Sequence, residues 1–464
     1  MNELLKWVAE RAIDYQNNLD NRGVAPLPEA INRLKELDIP LQNESLEPQT
    51  VIRQLEEIGS PATVTTRGGR YYGFVNGGSL PAAHAASWLV DTWDQNACLS
   101  VMSPISIALE EISLKWLLDV LRLPPESGAA FVTGASMANF VALAAARHQI
   151  LAREDWNVEL QGLFGAPEIT VIVGEEAHAT VLKALALLGL GRSRVVTVPA
   201  DDQGRMRVDT LPPLSSRTII CIQAGNVNTG AFDYAEEICS IAHKAGAWVH
   251  VDGAFGLWAA AAPEKAYLMK GFADADSWAT DAHKWLNVTY DSGIAFVRNR
   301  EHLRAAMTMT AAYLPQAHKR EPMDYGPEAS RRARGVAIWA AMRSLGREGL
   351  ADLIERTCQY ATRFAEGLNA AGYEVLNDVV INQVLVAFGD DETTQKIIAD
   401  IQADGTCWCG GTFWKGHTAM RISVSSWTTT AEDVERSLAA IIRIAQANSA
   451  SKTLKETALG SQAN

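Results

Sequence analysis

Lys284 stands in the run Asp281-Ala282-His283-Lys284-Trp285-Leu286, with bulky apolar residues on its C-terminal side. Desolvation favours the neutral form of a lysine, and a neutral amine can condense with an aldehyde to form a Schiff base. Asp252 closes another apolar run, Trp248-Val249-His250-Val251-Asp252. A carboxylate at the end of a buried strand needs a positive partner, because an isolated buried charge is costly. One acid ending one apolar run, and one lysine following the next, make up the minimal machinery for pyridoxal 5'-phosphate (PLP). The lysine holds the cofactor, and the acid keeps its ring nitrogen protonated.

Two further positions fit the same chemistry. Thr133-Gly134-Ala135-Ser136 lies between Phe131-Val132 and an alanine-rich helical stretch, so backbone N–H groups and the Ser136 hydroxyl could hold a phosphate. His178 follows the apolar run 169–173 and could stack on a pyridine ring; beside Lys284 itself, His283 could assist proton transfer or position the substrate. Singly, each residue has an ordinary explanation: a helix cap, a surface histidine, a turn acid, or a lysine lying along an apolar face. All four in order, each after its own apolar run, do not.

The elements that must position them are legible in outline. Residues 1–72 read as helices broken by Pro26, Pro28 and Pro40. The first is amphipathic, with Leu4, Leu5, Val8, Ala12 and Ile13 on one face, a pattern suited to subunit contact. From 73 to 345, apolar runs at 131–132, 169–173, 195–198, 218–222, 247–252, 277–280 and 293–297 alternate with helical stretches at 137–150, 178–188 and 234–245. This predicts an α/β domain with a mainly parallel sheet and a site at the carboxyl ends of its strands. Residues 346–447 read as a smaller α+β domain, and 448–464 as a disordered polar tail.

Composition narrows the function. Of 464 residues, 48% are hydrophobic and 20% charged, which is ordinary for a globular protein, and the net charge of −13 argues against a nucleic-acid partner. The six cysteines are scattered, which suits a reducing compartment, and Cys407-Trp408-Cys409 has no second pair to complete a metal site. No run of eighteen apolar residues and no secretory signal is visible, so no membrane span and a cytoplasmic location are expected.

Several motifs together resemble one family. They are Arg70-Tyr71-Tyr72-Gly73-Phe74 with Asn76-Gly77-Gly78, Trp93-Asp94-Gln95-Asn96, residues 133–139, His178, His250-Val251-Asp252, His283-Lys284-Trp285-Leu286 and Ser330-Arg331-Arg332-Ala333-Arg334. Over about residues 71–427 the chain resembles the group II PLP-dependent amino acid decarboxylases, relatives of the aromatic amino acid and glutamate decarboxylases. The resemblance implies the PLP-dependent transferase fold (fold type I, aspartate aminotransferase-like), with a large PLP domain and a small C-terminal one. It also implies a homodimer with shared active sites and a small-molecule amino acid substrate.

By the same resemblance Ala135 and Ser136 bind phosphate, His178 stacks on the ring, Asp252 pairs with the ring nitrogen and Lys284 holds the cofactor. Asn226 falls where the family has a threonine near the cofactor. Asp281 falls where many members have asparagine; an acid there would repel phosphate, so Thr280 is expected to take over. Arg421 matches an arginine near the substrate in some members, where it could anchor a carboxylate or form an ordinary structural ion pair. Residues 310–328 match a loop that reaches into the partner's site. The loop's proton-donating tyrosine falls near Pro322, so Tyr325 is expected to substitute, with Tyr313 and His318 next. The implied reaction is decarboxylation of an L-amino acid to its amine. A decarboxylating aldehyde synthase, an aminotransferase and a non-catalytic PLP-binding dimer are the alternatives.

Overall fold

The computed structural model describes residues 2–308 and 320–462, with side chains as far as 450. Seven short strands form the main sheet: β1 (Gly128–Val132), β2 (Thr170–Gly174), β3 (Val196–Val198), β4 (Thr218–Gln223), β5 (Trp248–Asp252), β6 (Ser277–Asp281) and β7 (Gly293–Val297). Their order is β1-β7-β6-β5-β4-β2-β3. β1, β4, β5, β6 and β7 are buried along their whole length, which is why they read as continuous apolar runs.

The pairs β2–β3, β2–β4, β4–β5 and β5–β6 are parallel. β7 departs from the expected alternation with helices, since it runs antiparallel to both β6 and β1. No α-helix separates β6 from β7; residues 282–292 turn the chain straight back. The helix Ala135–Ala152 packs on β1, β5, β6 and β7. Its alanines allow close approach, and Val141, Ala142 and Ala145 share one core with Val171, Ile219 and Ala295. Side chains alternate along a strand, so Trp248, His250 and Asp252 share one face of β5. The register sets His250 opposite Ser277 and Asp252 opposite Ala279.

A smaller sheet, order β10-β11-β9-β8, contains β8 (Glu374–Val375), β9 (Gln383–Ala387), β10 (Gly410–Trp414) and β11 (His417–Ser423). The chain divides into two compact units, residues 77–362 with 376–384, and residues 1–76 with 363–375 and 385–464. The second unit holds the N-terminal helices Asn2–Asn17, Pro28–Arg33 and Pro48–Gly59, the last two with proline in the first turn, where no N–H is missed. The last helix, Ala431–Gln462, runs on through the segment whose polarity marks it as a disordered tail. Within that segment Ala450, Lys452, Leu454, Lys455, Glu456, Ala458 and Leu459 are good helix formers. Among the described residues no helix is long and apolar enough to cross a membrane, and no group of three or more His, Cys, Asp or Glu could hold a metal.

Candidate active site

Residues from the ends of β1, β5 and β6 converge on one cavity of about 290 Å³, lined among others by Ser136, His178, Asp252, His283 and Lys284. β6 ends at Asp281 and the chain turns at once. Asn287, in the left-handed region at φ 57°, accepts the Gly78 N–H on its Oδ1 at 2.6 Å and the Leu80 N–H on its carbonyl at 2.8 Å. The segment 77–80 thereby pins the lysine turn. A Cβ on Gly77 would lie 1.9 Å from the Lys284 carbonyl oxygen, so no larger residue fits there without moving that turn.

Lys284 Nζ lies 3.1 Å from Asp281 Oδ2, and Asp281 Oδ1 accepts the Ala135 N–H at 2.6 Å. A carboxylate thus occupies the helix start that the sequence assigns to a phosphate, favoured there by the helix dipole. His283 Nδ1 accepts the Ser292 N–H at 3.1 Å, and the ring stacks on Tyr290 with centroids 4.3 Å apart. With Nδ1 an acceptor, the neutral ring carries its proton on Nε2, which faces Asp281 Oδ1 at 3.6 Å. Burial lowers the pKa of His283, with the Asp281 charge opposing.

At the other end of the cavity His178 caps the helix Ala179–Leu187, its Nδ1 accepting the Thr180 N–H at 3.3 Å. Asp252 is buried; its Oδ1 accepts from the Ala254 N–H at 3.3 Å and its Oδ2 from Asn139 Nδ2 at 3.4 Å. Burial pushes this carboxyl up, while the charges of His178 and Lys284 pull it back toward ionisation. Behind it, His250 Nε2 lies 2.8 Å from Asn139 Oδ1 and His250 Nδ1 lies 2.9 Å from Ser277 Oγ, which also accepts Trp248 Nε1–H at 2.9 Å. Asn139 and Ser277 escape the sequence reading. A lone asparagine inside an alanine-rich helix, and a histidine two residues before the acid on one strand face, were the available signals.

Other expected residues are placed elsewhere. Asn226 is buried, and its Oδ1 accepts the N–H groups of Asn228 at 2.9 Å and Thr229 at 3.2 Å, so it organises its own turn and does not line the cavity. Thr280, expected at the phosphate, does not line the cavity. It alternates with Asp281 on β6, and its hydroxyl donates to the Gly253 carbonyl at 2.9 Å. Tyr325 is not on the cavity wall either: its ring is buried in the main core, with the Arg320 guanidinium 4.8 Å from its centroid. Apolar packing has claimed the aromatic ring. Tyr313 and His318 lie outside the described residues. Arg421 sits on β11 opposite Gly410, in the compact unit that does not contain Lys284, and burial lowers its pKa.

The wall suits PLP at three points. An amine opens into the cavity at Lys284, and a buried carboxylate at Asp252 wants a further cation, which a protonated ring nitrogen would supply. Gly134 keeps the helix start open, since a Cβ there would come within 3.2 Å of His283 Cε1 and 3.3 Å of Asp281 Oδ1. The sequence matches the pyridoxal-dependent decarboxylase conserved domain over residues 28–389. The chain belongs to this family.

Among its relatives, the aromatic-L-amino-acid decarboxylase of Drosophila lebanonensis is 30% identical over 375 residues, spanning 74% of this chain and 90% of that protein. The acidic amino acid decarboxylase of Xenopus tropicalis is 27% identical over 364 residues, 75% of this chain and 70% of that protein. The Oryza sativa TDC solved with PLP and tryptamine superposes with a TM-score of 0.87 at 20% identity, covering 96% of this chain and 97% of that one. A Rhodiola rosea 4-hydroxyphenylacetaldehyde synthase does so at 0.82 and 20%, covering 95% and 97%. At such identity the structural likeness establishes the fold, which is fold type I. The decarboxylase uses PLP and is a carboxy-lyase acting on an amino acid.

Proposed function

We propose that the cavity at Lys284 is where this decarboxylase converts an L-amino acid to its amine and carbon dioxide. The observation that carries the assignment is the opening of the Lys284 amine and the Asp252 carboxylate into one cavity from neighbouring strand ends. When bound, PLP supplies the electron sink for the breaking Cα–carboxylate bond. Lys284 would hold the cofactor through its amine, and Asp281, 3.1 Å away, would hold the lysine's ammonium form whenever that amine is free. Asp252 holds the ring nitrogen's proton, and His178, fixed by its cap to Thr180, braces the ring. His283 lies on the same wall and would return a proton to Cα from its imidazolium form, which the Asp281 charge favours against burial. Ser136 would take the phosphate, beside the Ala135 N–H that Asp281 already holds.

The working form is a homodimer. Support comes from the helix Asn2–Asn17, none of whose residues is buried, and whose Leu5 and Ile13 are 60% and 52% exposed on the apolar face. All six cysteines are free and buried, which favours the cytoplasm. Relatives named for aromatic and acidic substrates make these the first classes to assay. Borohydride reduction and peptide mapping should place the cofactor on Lys284; label on Lys183, Lys244 or Lys270 would defeat the assignment. Incubation with single amino acids should release carbon dioxide and amine in equal amounts. Aldehyde with ammonia, or a keto acid without carbon dioxide, would mean an aldehyde synthase or an aminotransferase.

A further inference from the structure

We infer that Trp248, Ser277, His250 and Asn139 form a one-way chain of hydrogen-bond donors ending on Asp252, and that Asn139 is the positioning residue keeping this carboxylate ionised beside the cofactor's ring nitrogen. The inference rests on the assignment of Asp252 made above. The direction of the chain follows from donor chemistry. An indole N–H donates and cannot accept, so Trp248 fixes Ser277 Oγ as its acceptor at 2.9 Å. At the far end the Asp252 carboxylate only accepts and takes the Asn139 Nδ2 donor, which turns Asn139 Oδ1 toward His250 Nε2 and leaves His250 Nδ1 to accept the Ser277 proton at 2.9 Å. A neutral imidazole accepting at Nδ1 carries its proton on Nε2, which it gives to Asn139 Oδ1 at 2.8 Å. The amide is thereby held at both ends, and its Nδ2 faces Asp252 Oδ2 at 3.4 Å. The reverse amide orientation would set two donors together at His250 and two acceptors together at Asp252.

The chain is dry: Asn139, His250 and Ser277 have no exposed surface. Burial pushes His250 down to about 3, so the chain carries no positive charge at neutral pH. Away from water such bonds polarise one another and gain strength. The titratable groups around Asp252 are His178 and Lys284, whose charges favour its ionised form, and Cys221, whose thiol burial and Asp252 push up and keep neutral. All of these are separate from the Oδ2 contact, which Asn139 makes. A donor that cannot turn round stabilises the carboxylate and disfavours the protonated acid, which would need an acceptor there. An ionised Asp252 in turn holds the proton on the ring.

The test uses full-length holoenzyme loaded with PLP isotopically labelled at its ring nitrogen. Nitrogen NMR is followed through the pH range in which the protein stays folded. In Asn139→Leu the apparent pKa of the ring nitrogen should fall by about one unit, tenfold in proton affinity, as expected for loss of one hydrogen bond to a charged group. Asp252→Asn should lower it further. If Asn139→Leu titrates like the wild type while Asp252→Asn does not, the chain has no such role and the reading of Asp252 stands. If neither variant shifts, the reading of Asp252 itself is wrong. A merely structural Asn139 would lower the melting temperature and leave the titration in place. Should Asn139→Leu fail to fold, Ser277→Ala removes one oxygen from the same chain. A smaller fall is expected from it, and an unmoved titration overturns the inference.

Discussion

Gly77→Ala is the most direct perturbation of the lysine turn. The new Cβ would stand 1.9 Å from the Lys284 carbonyl oxygen, 3.0 Å from its carbonyl carbon and 3.1 Å from the His283 carbonyl oxygen. A methyl carbon does not approach such an oxygen closer than 3.0 Å, so the two backbones must part by about 1.1 Å. Neither side yields easily, because Asn287 ties the turn to Gly78 and Leu80 by two hydrogen bonds. A shift of about 1 Å at a catalytic group costs on the order of 100-fold in rate, about 2.7 kcal/mol of barrier. Overpacking should also remove about 1–3 kcal/mol of stability. Steady-state kinetics with the best substrate and thermal denaturation read both effects. Gly349→Ala is the control, since its Cβ meets only Leu345 of its own helix at 3.5 Å, and it should keep wild-type kinetics. Wild-type kcat/KM and melting temperature in Gly77→Ala would refute the claim that this segment sets the position of Lys284.

Asp281→Asn keeps the contact with the Ala135 N–H but removes a negative charge from the helix start, so PLP should bind roughly tenfold more tightly, about 1.4 kcal/mol. A fluorescence titration giving equal or weaker affinity would show that Asp281 does not face the phosphate. Tyr325→Phe should leave the ratio of amine to carbon dioxide unchanged, because the ring lies in the core away from the cavity wall; a rise in aldehyde and peroxide would return Tyr325 to the chemistry. The pH dependence of stability has a definite sign. His250 titrates at about 3 folded against 6.5 unfolded, so below 6.5 the unfolded chain binds a proton that the folded chain refuses. Stability is full above 6.5 and drains as pH falls toward 3, with about 2 kcal/mol gone from this residue at about pH 5. His283, also lowered by burial, adds in the same direction. A urea midpoint that stays flat from neutral to mildly acid pH would contradict both.

Strands bounded by turns were readable to within a few residues. The run 218–222 became Thr218–Gln223, and 277–280 became Ser277–Asp281, because burial on both faces leaves an unbroken apolar stretch. β8 has two residues and β10 opens on Gly410-Gly411, so neither shows a pattern long enough to read. Lys284, His283, Asp252, His178 and Ser136 were singled out from local context, and the fold gathers them on one wall. What local context cannot give is pairing across the sheet. The Asp281–Ala135 contact joins two strand ends 146 positions apart. The inactivity of Thr280 at the cavity follows from strand parity, one position out of phase with Asp281. Tyr325 was misplaced because sequence proximity to Arg331 says nothing about which core an aromatic ring will fill.

The clamp of segment 77–80 on the lysine turn has a consequence for how the enzyme is made. Gly78 and Asn287 are 209 positions apart, so the first partner leaves the ribosome long before the second exists. Helices such as Ala135–Ala152 can form locally in the interval, whereas closing so long a loop is entropically late. Lys284 acquires its final position only when that loop closes. Cofactor capture should therefore lag the return of helical circular dichroism during refolding. The yellow colour of the holoenzyme then counts finished molecules, while the helical signal also counts chains still waiting to close.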